Sequence, residues 1–286
     1  MKLFDFFRKK KEPDVEEEPG GVLPNGVPIS SRLAAYLPQL EAAALPFVQI
    51  KAQPSDSLFL FDSKFGGLPY WPAGKPYPTD ADGNYMYLLA QLNFAQIPHL
   101  DGYPQKGILQ FYVAADDVYG LNFDEPTVQK NFRIVYFEDI NDTALEDFSF
   151  LEGQEQESAL PVERQMQLTF SLQQDYFAYS DIRYPEDLSD ELQSEEKPAG
   201  AKQSLADEVY KVFPEGGHKM GGYAYFTQYD PRDEKAEYLE MVLLLQIDSQ
   251  DNDILWGDVG VGNFFIHPAD LERKDFSRVL YNWDCT

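Results

Sequence analysis

Along this chain apolar and polar positions alternate in short runs set between glycines and prolines, and few stretches repeat at the helical spacing of three to four. Residues 86–94 and 108–113 are strongly apolar and predict strands, as do 131–137 and the more ragged alternation at 162–172. Residues 241–247 are almost uniformly apolar, the pattern of a strand covered on both faces. Residues 262–267 and 278–283 predict further strands beside it. Upstream, 47–50 alternates fully and 57–61 in part. Two stretches read as helix. One starts from a cap at Ser30 or Ser31 and runs through 32–44, with Pro38 inside it or breaking it and Pro46 ending it. The other is 205–213, behind Ser204 as its cap. A turn or helix start falls at 268–271.

One phrase occurs in both halves. Gly66 and Gly67, with the apolar run 88–93 that holds Gln91 and Asn93, return 155 residues later as Gly221, Gly222 and the run 243–248 with Gln246 and Asp248. The segment 107–117 returns at 260–270, an offset of 153, so one two-residue deletion separates the pieces. Copies of one supersecondary unit are expected to pack in related ways. The fold class that follows is α+β, mainly antiparallel sheet, with two similar β-rich halves related by internal duplication and few helices. The halves span roughly 47–150 and 205–286, and the acidic stretches 138–160 and 185–202 read as linkers. Residues 1–28, broken by Pro13, Pro19 and Gly20, read as a flexible arm, and 29–286 as one duplicated domain.

Charge narrows what such a fold binds. The net charge of −26 repels nucleic acid unless a basic patch overcomes that field. The one basic cluster, Arg8, Lys9, Lys10 and Lys11, runs straight into Glu12, Asp14 and Glu16, so no nucleic-acid role is expected. An acidic surface suits solubility, or docking to a basic protein partner. The single Cys285 allows no internal disulfide and fits a reducing, cytoplasmic setting. No apolar run approaches the ~20 residues of a membrane span. Membrane attachment would have to use residues 1–11, where Leu3, Phe4, Phe6 and Phe7 would enter the interface ahead of the basic run.

Catalytic and cofactor patterns fail when tested. Gly74 and Lys75 are followed by Pro76, so no phosphate-cradling loop forms. Gly257, Gly260 and Gly262 resemble a dinucleotide loop, but Phe265 stands where the third glycine belongs. Asp251, Asn252 and Asp253 begin like a calcium loop, yet Leu255 and Trp256 fill its fifth and sixth places. His99, His218 and His267 form no helical pair, and there is no cysteine pair, so no metal and no cofactor is expected. Among the acids, Asp116, Asp117, Asp258 and Asp270 lie at predicted strand ends or loops, where two of them would be able to flank a glycosidic bond.

The residues that carry the repeat are the ligand-binding candidates. Gln91 and Gln246 each put an amide into an apolar strand, followed by Asn93 and Asp248. A buried amide needs partners. Two readings stand: each glutamine locks the double-glycine loop of its own half, or both face a common cleft. Trp256 and Asp258, with Trp71 in a comparable Gly/Pro-rich setting and Asp270 nearby in sequence, form a set suited to sugars or peptide backbone through stacking and planar hydrogen bonds. The bland alternative is an indole filling the core.

Phe65 to Pro69, the 72–78 segment, the runs 88–93 and 107–112, Trp256 to Asp258 and Asn263 to Ile266 together resemble the bacterial YwqG family, from about residue 30 to the end. The resemblance implies an α+β duplicated body with no assigned reaction and no catalytic residues to carry over. Two functions follow from the sequence. The first is a non-enzymatic binding protein that docks or neutralises a basic protein partner. The alternative is a carbohydrate-binding protein or hydrolase built on an aromatic and carboxylate cleft.

Overall fold

The computed structural model describes residues 19–23, 26–140, 143–152, 160–197, 203–250 and 253–286. The apolar and basic positions of the first eleven residues lie outside them. The chain divides into two compact units.

The smaller unit takes its described residues from the stretch up to Ala43 and from Pro185–Pro214. Part of the expected arm is strand here: β1 (Pro19–Val22) pairs antiparallel with β2 (Pro28–Ser30). The single expected helix is two, α1 (Ser31–Ala34) and α2 (Leu37–Ala43), with Pro38 accommodated in the first turn of α2, where no intrahelical N–H is needed. The acidic stretch from 185 contains α3 (Glu186–Leu192). Its buried Leu188 and Leu192 lie four apart on one face, and Glu186 and Asp187 meet the positive end of the helix dipole. Acid content alone concealed that spacing. The α4 helix (Leu205–Val212) starts in the expected place, with a capping box between Ser204 and Asp207. Its buried Glu208 accepts from Ser30 N at 2.7 Å and Ser30 Oγ at 2.6 Å, tying α4 to the start of α1.

The larger unit spans Ala44–Tyr184 and Glu215–Thr286. In chain order its strands are β3 (Leu45–Pro54), β4 (Lys64–Phe65), β5 (Tyr87–Asn93), β6 (Ile108–Val113), β7 (Phe132–Phe137), β8 (Met166–Asp175), β9 (His218–Gly221), β10 (Val242–Asp248), β11 (Val261–Ile266) and β12 (Leu280–Asp284). They form one antiparallel sheet in the order β12-β11-β10-β9-β3-β8-β4-β5-β6-β7. At its centre β3 and β8 pair over their full lengths, from Leu45 opposite Asp175 to Pro54 opposite Met166. Each of these central strands pairs on its other side with the arm that does not directly follow it in sequence. β3 takes β9, and β8 takes β4.

The two arms are alike in detail. Each has a register shift near its second strand's start, between Leu88 and Ala90 in one and between Leu243 and Leu245 in the other. Lys64 stands opposite Gln91, and Lys219 opposite Gln246. The double glycines end the first strand of each arm with positive φ, 63° and 73° at Gly66 and Gly67, and 73° and 69° at Gly221 and Gly222. Only glycine takes such paired left-handed values at no steric cost. A Cβ on Gly222 would also lie 2.8 Å from Asp175 Oδ2.

Inward side chains of both arms share one core. Phe111 packs edge-on to Phe264 with centroids 4.8 Å apart, and Phe132 lies 5.2 Å from Tyr281. Alternation puts Gln91, between core residues Ala90 and Leu92, on the opposite face, and does the same to Gln246 between Leu245 and Ile247. Each outward face carries its own apolar cluster: Tyr70, Trp71, Tyr112 and Phe137 in one arm, Phe226, Leu243 and Phe265 in the other. Of the two readings of the glutamines, the common cleft does not form: each amide bonds within its own arm. The segment 57–61 is not a strand; its backbone turns so that the carbonyls of Phe59 and Leu60 meet side-chain donors.

Candidate functional site

The outward face of the second arm bears a cleft of about 510 Å³. One wall is the segment after β8, with Tyr179, Ser180 and Ile182. A second is the loop after the Gly221–Gly222 pair, with Gln228, Tyr229 and Asp230. A short 3-10 helix, Pro231–Glu234, adds Asp233 and Glu234.

Buried carboxylates hold these walls. Asp230 caps the 3-10 helix, its Oδ1 accepting from Arg232 N at 3.0 Å, while Pro231 occupies a position that needs no donor. Asp230 Oδ2 also accepts from Ile182 N at 3.1 Å and so joins two walls. Asp284, on β12, accepts from the backbone N–H groups of Thr227 and Gln228 at 3.2 and 3.0 Å. Glu215 Oε2 accepts from Tyr179 N at 2.8 Å. Burial pushes the carboxyls of both Asp284 and Glu215 up from their ordinary values, against the pull of those N–H donors.

Beneath the helix lies an ion cluster. Arg232 is fully enclosed; it donates from Nε and Nη2 to Asp230 at 2.9 and 2.5 Å and from Nη1 to Met241 O at 2.9 Å. The same Nη2 lies 2.8 Å from Asp181 Oδ1. Burial alone would raise the Asp181 carboxyl, but the Arg232 and Arg183 guanidinium groups and two backbone donors outweigh it and hold that carboxyl below its usual range. Asp230 is thus neutralised from below by Arg232. The charge facing solvent in the cleft belongs to Asp233 and Glu234, both exposed. Tyr179 and Tyr229 are 57% and 58% exposed, large aromatic surface at the rim of an acidic site. Tyr229 Oη donates to Glu234 Oε1 at 3.0 Å, and that bond to a carboxylate raises the phenol above its ordinary value.

None of the eight sequence candidates lines this cleft. Gln91 accepts from Tyr70 N at 2.7 Å and donates to Leu60 O and Asp62 O at 2.9 and 2.8 Å. Gln246 accepts from Tyr225 N at 2.8 Å and donates to Gly217 O at 2.7 Å. Both amides are sealed and bond to backbone in their own arms. Asn93 caps the 3-10 helix Phe94–Gln96 and donates to Phe61 O. Asp248 Oδ2 accepts from Gly217 N. Trp71 is 2% exposed, with Nε1 bonded to Lys75 O at 2.9 Å; Trp256 is fully buried against Tyr119, Tyr281 and Trp283. Neither indole offers a face to a ligand. Asp258 is exposed in a turn, and Asp270, on α5 (Pro268–Glu272), pairs with Arg273 just past its end. The run Tyr229, Asp230, Pro231 was the available signal for the cleft, since an Asp before a Pro marks a capped helix start with its preceding tyrosine at the rim.

Among the described residues no group of three or more His, Cys, Asp or Glu side chains is placed to hold a metal ion, and no helix is long and apolar enough to cross a membrane. No curated protein matches this sequence. A family model described as a domain of unknown function, DUF1963, matches residues 63–285, which run from just before β4 through the end of β12 and include the whole cleft; the chain belongs to that family.

Proposed function

We propose that this domain is a non-enzymatic docking protein for a basic protein partner, which it engages at the cleft of Tyr179, Tyr229, Asp233 and Glu234. One observation carries the reading: the lining combines two exposed tyrosines with two exposed carboxylates, and among the described residues no basic side chain is part of it. Aromatic faces and carboxylates both favour cations. The net charge of −26 adds a long-range field that speeds encounter with a basic protein and makes it salt-sensitive.

The carbohydrate reading would now rest on the same two tyrosines, because Trp71 and Trp256 are enclosed. The adjacent carboxylates favour the cation. The like geometry of the arms supports an origin by internal duplication, in which the second copy acquired the cleft. The narrower likeness to the YwqG family fits a domain without an assigned reaction.

The test uses a variant that keeps the charge. The full chain and a Tyr179→Ala/Tyr229→Ala double variant are each used to capture proteins from a native extract over a salt series. The reading expects a basic protein retained by the parent, released by salt and lost with the double variant. Equal capture by both would assign the retention to general acidity and remove the cleft from the function.

A further inference from the structure

We propose that the cleft recognises an arginine side chain, an assignment that rests on the docking reading above and narrows it. The argument is one of donors and acceptors. A guanidinium is planar and carries five N–H donors in a fixed fork, whereas an ammonium is a compact, strongly hydrated charge with three. The cleft offers acceptors along its length rather than at one point. Asp233 presents a carboxylate. Glu234 is oriented by Tyr229 Oη at Oε1, which leaves Oε2 to accept. Gln228 has its Nε2 tied to Cys285 O at 2.6 Å, which turns that amide so that its Oε1 serves as the acceptor.

The competing charges are already satisfied. Asp230 is paired with Arg232 below the floor, so it adds shape more than charge. Lys235, next to Glu234, directs its ammonium to Tyr238 Oη at 3.2 Å, and Arg183, next to Ile182, is bound to Asp181 and to Gly222 O; neither is part of the lining. An incoming cation therefore meets two carboxylates and, among the described residues, no internal rival in the lining. The exposed rings of Tyr179 and Tyr229 supply surfaces on which a weakly hydrated guanidinium plane stacks and a hydrated ammonium gains less. A volume of about 510 Å³ holds such a side chain with its flanking backbone.

The experiment titrates the full chain with three end-blocked tripeptides, glycyl-arginyl-glycine and its lysyl and citrullyl counterparts, and follows backbone amide shifts. The arginine peptide is expected to move the amides of Tyr179, Gln228 and Asp233 and to bind roughly tenfold tighter than the lysine peptide, the ratio for one additional charge-assisted hydrogen bond. The neutral citrulline peptide is expected not to bind. Asp233→Asn/Glu234→Gln should weaken the arginine peptide at least about tenfold while thermal unfolding confirms an intact fold. Equal affinity for arginine and lysine, binding of citrulline, or shifts confined to other surfaces would overturn the assignment. The two proposals fail separately. Tyrosine-dependent capture of a basic protein with equal arginine and lysine affinities sinks the arginine assignment alone; capture indifferent to the tyrosines sinks the docking reading whatever the peptides do.

Discussion

Lys64 and Lys219 hold the same place in the two arms, each across the ladder from a buried glutamine, yet their ammonium groups are satisfied by different means. Lys64 Nζ donates to the carbonyls of Phe59, Leu60 and Leu68 at 3.0, 3.5 and 3.2 Å. Lys219 Nζ meets the carboxylate of Asp175 at 2.9 Å. Three carbonyl dipoles are a weaker counterpart than a full charge. Burial accordingly pushes the Lys64 ammonium down to about 8, with Asp62 opposing in part. The arm that carries the cleft is thus the one whose central lysine is pinned by an anion, and the same Asp175 oxygen accepts from Tyr223 N at 3.1 Å, in the loop that leads to Tyr229.

That pairing makes the first prediction. Both side chains are nearly sealed, 5% and 9% exposed, so removing one strands the other away from water. Lys219→Met and Asp175→Asn should each lower unfolding stability by about 3–5 kcal/mol, the usual effect of breaking a buried pair. A Lys219→Met/Asp175→Asn double variant should lose less than the two singles together. Denaturant unfolding of the four proteins completes the cycle, and strict additivity would deny the coupling.

His218 gives a pH dependence. Its Nδ1 accepts from Asp248 N at 3.0 Å, and its Nε2 lies 2.9 Å from Gln250 Oε1. These partners fix a neutral ring with the proton on Nε2. Burial pushes its pKa below the ordinary 6.5, against weaker pulls from Gln250 and Asp248. The unfolded chain therefore takes up this proton at a higher pH than the folded one. The stability that the neutral ring contributes is present above the unfolded value and is lost as pH falls through 6.5 towards the lowered folded value. Thermal unfolding between about pH 7 and about pH 5 should fall more steeply for the parent than for His218→Gln, whose side chain does not titrate. Parallel curves would mean that His218 keeps its ordinary pKa in the fold.

The buried amides supply a third. Replacing Gln91 leaves Tyr70 N without its acceptor and Asp62 O without its donor, and leaves Leu60 O with the long 3.5 Å contact from Lys64 Nζ. Gln91→Leu should destabilise by about 1–3 kcal/mol for each group left unpaired in the interior. Gln246→Leu should do likewise through Tyr225 N and Gly217 O. Neither change should alter binding at the cleft, which neither residue lines. A Gln246→Leu protein with parental melting and lost binding would restore the glutamine to the site.

How far the sequence reveals this architecture depends on the range of the interaction. Apolar runs announced β5, β6, β10 and β11, and Ser204 announced its helix, because those signals are local. The exchange of β3 and β8 between the arms is not local: Leu45 meets Asp175 across 130 residues, and nothing in either strand's alternation names its partner. β9 was missed because four residues ending in Gly221 and preceding Gly222 look like a turn. Gln91 and Gln246 stood out in sequence for the right physical reason, a polar group in an apolar run, yet strand alternation places them outside the shared core and under separate loops. The cleft went unread because its walls come from three segments whose contacts run through Asp181, Asp230 and Asp284, three acids among the 49 Asp and Glu.

Two of those acids, Asp181 and Asp230, converge on Arg232, and the last prediction concerns it. Its guanidinium joins Asp230 and Asp181 with both arginine and Asp181 side chains fully enclosed, and it lies 4.5 Å from the centroid of the Phe265 ring. Arg232→Met leaves Asp230 buried without its cation and Asp181 with the longer Arg183 contact, and should lose about 3–5 kcal/mol of stability. Arg232→Lys keeps the charge but not the fork, so it should recover only part of that loss. The Asp230 and Asp181 carboxylates accept from Ile182 N and Ala224 N, and those two amides should exchange hydrogen faster in both variants. Added salt should leave the parent's difference from Arg232→Met nearly unchanged, since a sealed pair is little screened. A difference that shrinks with salt, as expected for an exposed pair such as Arg278 and Glu237, would mean that water reaches the cluster and that the cleft floor is not the rigid support derived for it.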